Sequence, residues 1–522
     1  MRHLLLGLAL ATLPLGAAAQ QGSTPLSAID WLSDSLARPV VRPPVRDPGV
    51  YLGVDVDKVV ATALPGPVSV APLDGPLSDA VGLLPPSVTG LPAGLWGQSD
   101  SATIARLIAD PGASASGFLP ATRDLYRMLL LAELNPPADS SRQMTLFLAR
   151  IDALLAMGAL EEAKALMERQ GAQQPRVFRR LFDTGLLLGT ENQVCDQLRD
   201  GSGLAPTYPA RIFCLARGGD WDAAALTLGT ARALGFLDPD EEALMTRFLD
   251  PILFEGDFLL PPPGKPSPLE FRIYEAVGYS LPSAPLPLAY SQADLRSNTG
   301  WKARLEASER LARAGAISPN QLYGIYTAYV PAASGGVWDR VAAVQEFDAA
   351  LISGDAQAVS DTLRPAWQAM ISVNLERPFA DIYGARLSLF TLEDTSAALA
   401  FEIGLLSASY ESVAARYTAS TNREDFLAGL ASGQPVAPLR LDPVSQAIAD
   451  GFSRSEVPAR LQGLVDNDQL GEAILRAIKL LNTGAAGDFN KIADSLSFFR
   501  AVGLEDTARR AALELMILDL RG

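Results

Sequence analysis

The passage Tyr323-Gly-Ile-Tyr-Thr-Ala-Tyr329 runs into Pro331-Ala-Ala-Ser-Gly-Gly-Val-Trp-Asp-Arg340. Tyr323, Tyr326, Tyr329 and Trp338 flank a glycine-rich turn, with Asp339 and Arg340 beside it. Aromatic faces next to a charged pair are the groups that stack a sugar ring or hold a peptide. The same aromatics at helical spacing also serve as packing around a loop. Cys195 and Cys214 are the only cysteines, 19 positions apart, and an even pair in an exported chain is expected to be oxidised. The alternative, a redox pair, has a spacing nothing like Cys-x-x-Cys. The one histidine is His3. If a leader carrying it is removed, Ser–His and Cys–His nucleophile pairs and histidine-ligated metals are excluded. None of the six lysines, Lys58, Lys164, Lys265, Lys302, Lys479 and Lys491, follows a serine by three positions. There is no Gly-x-Ser-x-Gly elbow, phosphate loop or dinucleotide fingerprint. Gly201-Ser202-Gly203 starts like the last of these, but Pro206 stands where its third glycine belongs. No catalytic residue, cofactor site or metal site is expected. Carboxylate chemistry stays open: 59 acidic side chains supply material for an acid–base pair, but not its placement.

The elements that must position these groups are helices. In Leu154–Gly171 and again in Cys214–Gly235 a helical run ends at glycine. A second helix then begins with acidic residues, which suit the positive end of its dipole. Ala163 and Ala224 are small enough to let two helices approach. The layout returns in Leu461–Leu481 and Phe498–Leu518, where Ala473 and Ala508 lie 35 positions apart. In this respect the chain resembles the tetratricopeptide-like helical-repeat superfamily. The resemblance implies an α-solenoid whose concave face binds other proteins. Tyr410-Glu-Ser-Val413 carries the Glu-Ser of soluble lytic transglycosylases without the Gly-Leu-Met-Gln run that follows it there. No catalytic role is therefore carried to Glu411.

Residues 1–19 read as a secretion signal: Arg2, an apolar run Leu4–Leu15, then Ala17-Ala18-Ala19, with cleavage expected before Gln20. The run is too short to span a bilayer, and no transmembrane segment is expected in the mature chain. The periplasm is the expected location, with secretion as the alternative. Net charge is −16, and −17 once Arg2 leaves, which disfavours nucleic acid and anionic lipid as partners.

Residues 20–98 read as an extended or disordered arm, since eleven prolines fall between Arg38 and Pro92. Within it, residues 27–37 are expected to form a short amphipathic helix carrying Ile29, Trp31, Leu32 and Leu36. This helix either docks a partner or folds back on the body. A first helical-repeat block is expected over 99–260 and a proline-rich joint over 261–300. A second helical block follows over 301–435, and repeat-like pairs close the chain over 436–522. The expected fold is all-α: a solenoid-like body in two blocks behind the arm. The leading functional expectation is a non-enzymatic exported scaffold that binds a protein or envelope component. The alternatives are a glycan- or peptidoglycan-binding or -acting protein using carboxylates, and a purely structural protein.

Overall fold

A computed structural model describes residues 78–518, apart from 111–118, 142, 201–203, 255–259, 435–436 and 441. The chain is all-α, as expected: 25 α-helices, short 3-10 turns and no β-strand among the described residues, only one bridge between Leu84 and Ala132. None of these helices is long and apolar enough to cross a membrane. Residues 1–77, including the expected leader and Ile29, Trp31, Leu32 and Leu36, lie outside the described residues.

The elbows expected from the sequence are present. Helix Thr145–Ala156 turns at Gly158 (φ 93°) into helix Leu160–Gln170, and helix Tyr208–Arg217 turns at Gly219 (φ 84°) into helix Trp221–Ala233. Ala163, Ala224, Ala473 and Ala508, the small residues expected at the helix contacts, are fully buried. Starts are written in the sequence. Asp238 with Glu241, Ser267 with Glu270 and Thr421 with Glu424 form capping boxes.

Consecutive helices pack on one another through most of the chain, as in a solenoid, but the array does not stay open. One core gathers buried residues from Leu91 to Ala293 and again from Phe401 to Leu515, and the other runs from Leu305 to Leu406. The cores thus depart from the expected blocks. Residues beyond Leu406 rejoin the first block instead of continuing the second, and the C-terminal pairs are not a separate unit. Helix Pro120–Leu131 packs on helix Glu505–Ile517 and on helix Leu470–Ala485.

Three connections close it. Glu514 accepts from Ala121 N at 2.8 Å and from Arg377 Nη1 at 2.8 Å, joining the first, middle and last parts of the chain. Arg123 Nη1 donates to Arg313 O at 2.8 Å, and Gly97, Gln98 and Leu95 meet the turn before helix Leu470–Ala485.

The last part of the expected arm belongs to this body. Leu91, Leu95 and Trp96 are buried, and Asp79 accepts from Phe147 N at 2.7 Å, capping helix Thr145–Ala156 from a distant segment. Arg150 donates to the carbonyls of Val81, Leu130 and Ala132 at 2.7–2.9 Å. Proline density forbids a long helix here, but the backbone groups find partners across the chain, and three large apolar side chains supply the burial.

Candidate functional site

The aromatic passage is divided by the fold. Tyr326 points into the second core, where its hydroxyl donates to Glu309 Oε1 at 2.7 Å. Arg340 closes on the same carboxylate at 2.9 and 2.7 Å. These two are a buried clasp. Burial and the Glu309 carboxylate push the Tyr326 phenol well above its usual range. Tyr323 turns to Tyr383, with ring centroids 5.9 Å apart. Tyr329 and Trp338 instead meet Trp301, at 5.3 and 5.0 Å, and Tyr329 is exposed. Asp339 accepts from Gly335 N at 2.8 Å and holds the glycine turn shut. Of the six residues singled out in the sequence, only Tyr329 and Trp338 share a surface cluster, and its third ring, Trp301, comes from the start of helix Trp301–Arg313.

Cys195 and Cys214 form a disulfide, with Cα atoms 5.0 Å apart, tying helix Glu191–Asp200 to helix Tyr208–Arg217. Glu411 lies on the surface and pairs with Arg509 at 2.9 Å.

A cleft of about 490 Å³ opens in the proline-rich joint, between helix Pro268–Ala276, helix Tyr290–Asp294 and helix Trp301–Arg313. Its polar wall is Glu275, Ser283, Asp294, Arg296, Asn298 and Arg310. The prolines set it up. Pro282, Pro285 and Pro287 keep 281–288 out of a helix, so this segment stands off as one lip. Arg310 fastens that lip, donating through Nη1 to Ser283 O and Ser291 Oγ at 3.0 Å and through Nη2 to Leu286 O.

Three carboxylates line the cleft: Glu306 is exposed at its edge, and the two half-buried ones, Glu275 and Asp294, differ. Burial pushes Asp294 above the ordinary aspartate value, only partly offset by the Ser283 hydroxyl it accepts from and by Arg296. Burial acts on Glu275 in the same sense. There the hydrogen bonds from Arg296, at 2.8 and 3.0 Å, and the charge of Arg272 prevail and hold the carboxyl below its usual range. Burial lowers the Arg310 guanidinium, with Arg313 adding to the effect. The sequence signal was the run of hydroxyl, amide and charged side chains from Ser280 to Thr299 among prolines. Proline spacing alone reads as a joint.

Several of the large apolar residues left exposed fall in the last part of the first block, while others, such as Val330 and Leu389, lie elsewhere. Trp221, Leu226, Ile252 and Leu253 are 50%, 73%, 80% and 69% exposed. Trp221 sits 6.3 Å from Phe248 near the end of helix Pro239–Leu249, which brings Ile252 and Leu253 to the same end as Trp221. No family model, curated protein or solved structure matches the chain.

Proposed function

We propose that the chain is an exported, non-enzymatic scaffold that holds a protein partner of the cell envelope against the outer end of its first helical block. The observation that carries this reading is the apolar surface of Trp221, Leu226, Ile252 and Leu253. Large apolar groups left exposed along one end part of a block, on a chain of net charge −16, are a feature expected of a protein-binding face. The helix–turn–helix layout and its tetratricopeptide-like spacing support the same reading, since stacked helix pairs offer extended faces. The expected leader and the disulfide support the periplasm as the location.

Photo-crosslinking from positions 221, 226 and 252 in living cells tests it, with position 389 as an exposed apolar control. A discrete protein adduct from the first three and none from 389 supports the scaffold. Loss of that adduct in a Trp221→Ser, Leu226→Ser, Ile252→Ser variant of unchanged melting temperature completes it. No adduct at any of the three, or the same adducts at 389, overturns it.

A further inference from the structure

The cleft in the joint lies on other elements than the apolar surface, and the scaffold reading gives it nothing to do. Its charges are answered by groups of the wall or just behind it, and the exposed Glu306 at its edge pairs with Lys302 at 3.7 Å. Glu275 is held by Arg272 and Arg296, Arg310 by two carbonyls and the Ser291 hydroxyl, and Asp294 accepts from Ser283. Such a wall exerts little net pull on an ion. It still offers hydrogen bonds, because a guanidinium has five donors and a carboxylate about four acceptor sites. These groups are clamped by their neighbours before any ligand arrives, so little side-chain freedom is lost on binding. Ser280, Asn298 and Thr299 add neutral donors and acceptors, while Phe271, Ala303 and Ala307 add apolar contact.

A neutral ligand carrying many hydroxyl groups fits this combination better than an anion, a cation or an apolar molecule. The cleft volume falls within the roughly 300–1,000 Å³ of small-molecule sites. The depression beside Arg454 and Arg460 is larger, at about 650 Å³, but both of its arginines are drawn to Asp494 and it lacks the jointed lip.

We propose that the cleft between Glu275, Asp294 and Arg310 binds a short neutral saccharide, with Asp294 and Asn298 making hydrogen bonds to its hydroxyls. The step is binding and not cleavage. Glu275 is held below its usual range by two guanidiniums, which does not suit it to protonate a leaving group, and Glu306 is exposed beside Lys302. Asp294 accepts from the Ser283 hydroxyl and keeps further acceptor sites for a ligand hydroxyl.

The test uses the full mature chain with cellobiose, maltose and di-N-acetylchitobiose as probes, by saturation-transfer NMR and calorimetry at millimolar sugar. At least one disaccharide is expected to saturate. Its affinity is expected to fall about tenfold in Asp294→Asn and in Asn298→Ala, the loss that follows from one unpaired hydrogen-bonding group. Asn298 is exposed at the rim, so Asn298→Ala decides the matter if Asp294→Asn fails to fold. Failure of all three sugars to bind overturns the proposal. So does saturable binding that Asn298→Ala leaves unchanged, and so does release of monosaccharide during the titration.

Discussion

The indole of Trp96 lies against the backbone of Gly471. A Cβ at that position would stand 2.5 Å from Cε3 and 2.7 Å from Cζ3 of the ring. Gly471 N also donates to Leu95 O at 2.8 Å, which fixes the separation. Trp96 is 1% exposed and has nowhere to retreat. Gly471→Ala should therefore destabilise by about 1–3 kcal/mol, the usual cost of overpacking a filled core. Urea denaturation checks it, and a wild-type midpoint would contradict the contact.

Glu514 should make stability depend on pH near neutrality. Burial pushes its carboxyl from the ordinary 4.5 up to about 7, with Arg377 and the Ala121 amide pulling the other way. Asp124, Asp381 and Arg123 complete its charged surroundings. Between the unfolded and folded values the native state binds more protons than the unfolded chain. This contribution is therefore full below the lower value and is lost as pH rises through the upper one. The total is on the order of 3 kcal/mol. Denaturation of wild type and Glu514→Gln at about pH 5 and about pH 8 reads it. Wild type should lose ground to the variant at the higher pH. A constant difference between the two would refute the shift.

The disulfide Cys195–Cys214 closes a loop of 19 residues, and loops of that size gain roughly 3 kcal/mol from the cross-link. A Cys195→Ala, Cys214→Ala chain should melt below the oxidised wild type, and reductant should move only the wild type. Equal melting of both would mean that the helix pair is held by packing alone.

Arg150, 1% exposed, holds residues 78–81 to the body through backbone carbonyls alone. Arg150→Met keeps the bulk and strips every donor, leaving buried acceptors unpaired at a cost of about 3 kcal/mol or more. Limited proteolysis should then cut within residues 78–98, where wild type resists. Equal resistance would show that Leu91, Leu95 and Trp96 anchor the segment unaided.

Local order was legible and distant order was not. Gly158, Gly219, Asp220 and Ser318 announce helix ends and starts through backbone rules that act within a few residues. The elbows follow from them, and the cysteine pair follows from its even count in a chain expected to be exported. Trp96 sat in a stretch judged by its prolines, and nothing near it in sequence names Gly471 as its partner. The Arg377–Glu514 pair is likewise invisible to periodicity, because helical spacing reports which face is inward and not what it meets. In the aromatic passage, spacing could not separate Tyr326, turned inward to Glu309, from Tyr329, three positions on and exposed. The cleft was hidden for a third reason: prolines mark where helices stop, not how the stopped segments stand against each other.

Ala121 and Glu514 are 393 residues apart, and the hydrogen bond between them has a consequence for the order of events at synthesis. Stacked repeats that touch only their neighbours can lock one pair after another as the chain emerges. Here the first core waits for its last helix, and the part of Pro120–Leu131 that meets Glu505–Ile517 stays uncovered until that helix has been made. Closing so long a loop adds little to the equilibrium cost, which grows only with the logarithm of length, but it slows folding. The growing chain therefore carries an open apolar edge for most of its synthesis, the state that holding chaperones cover.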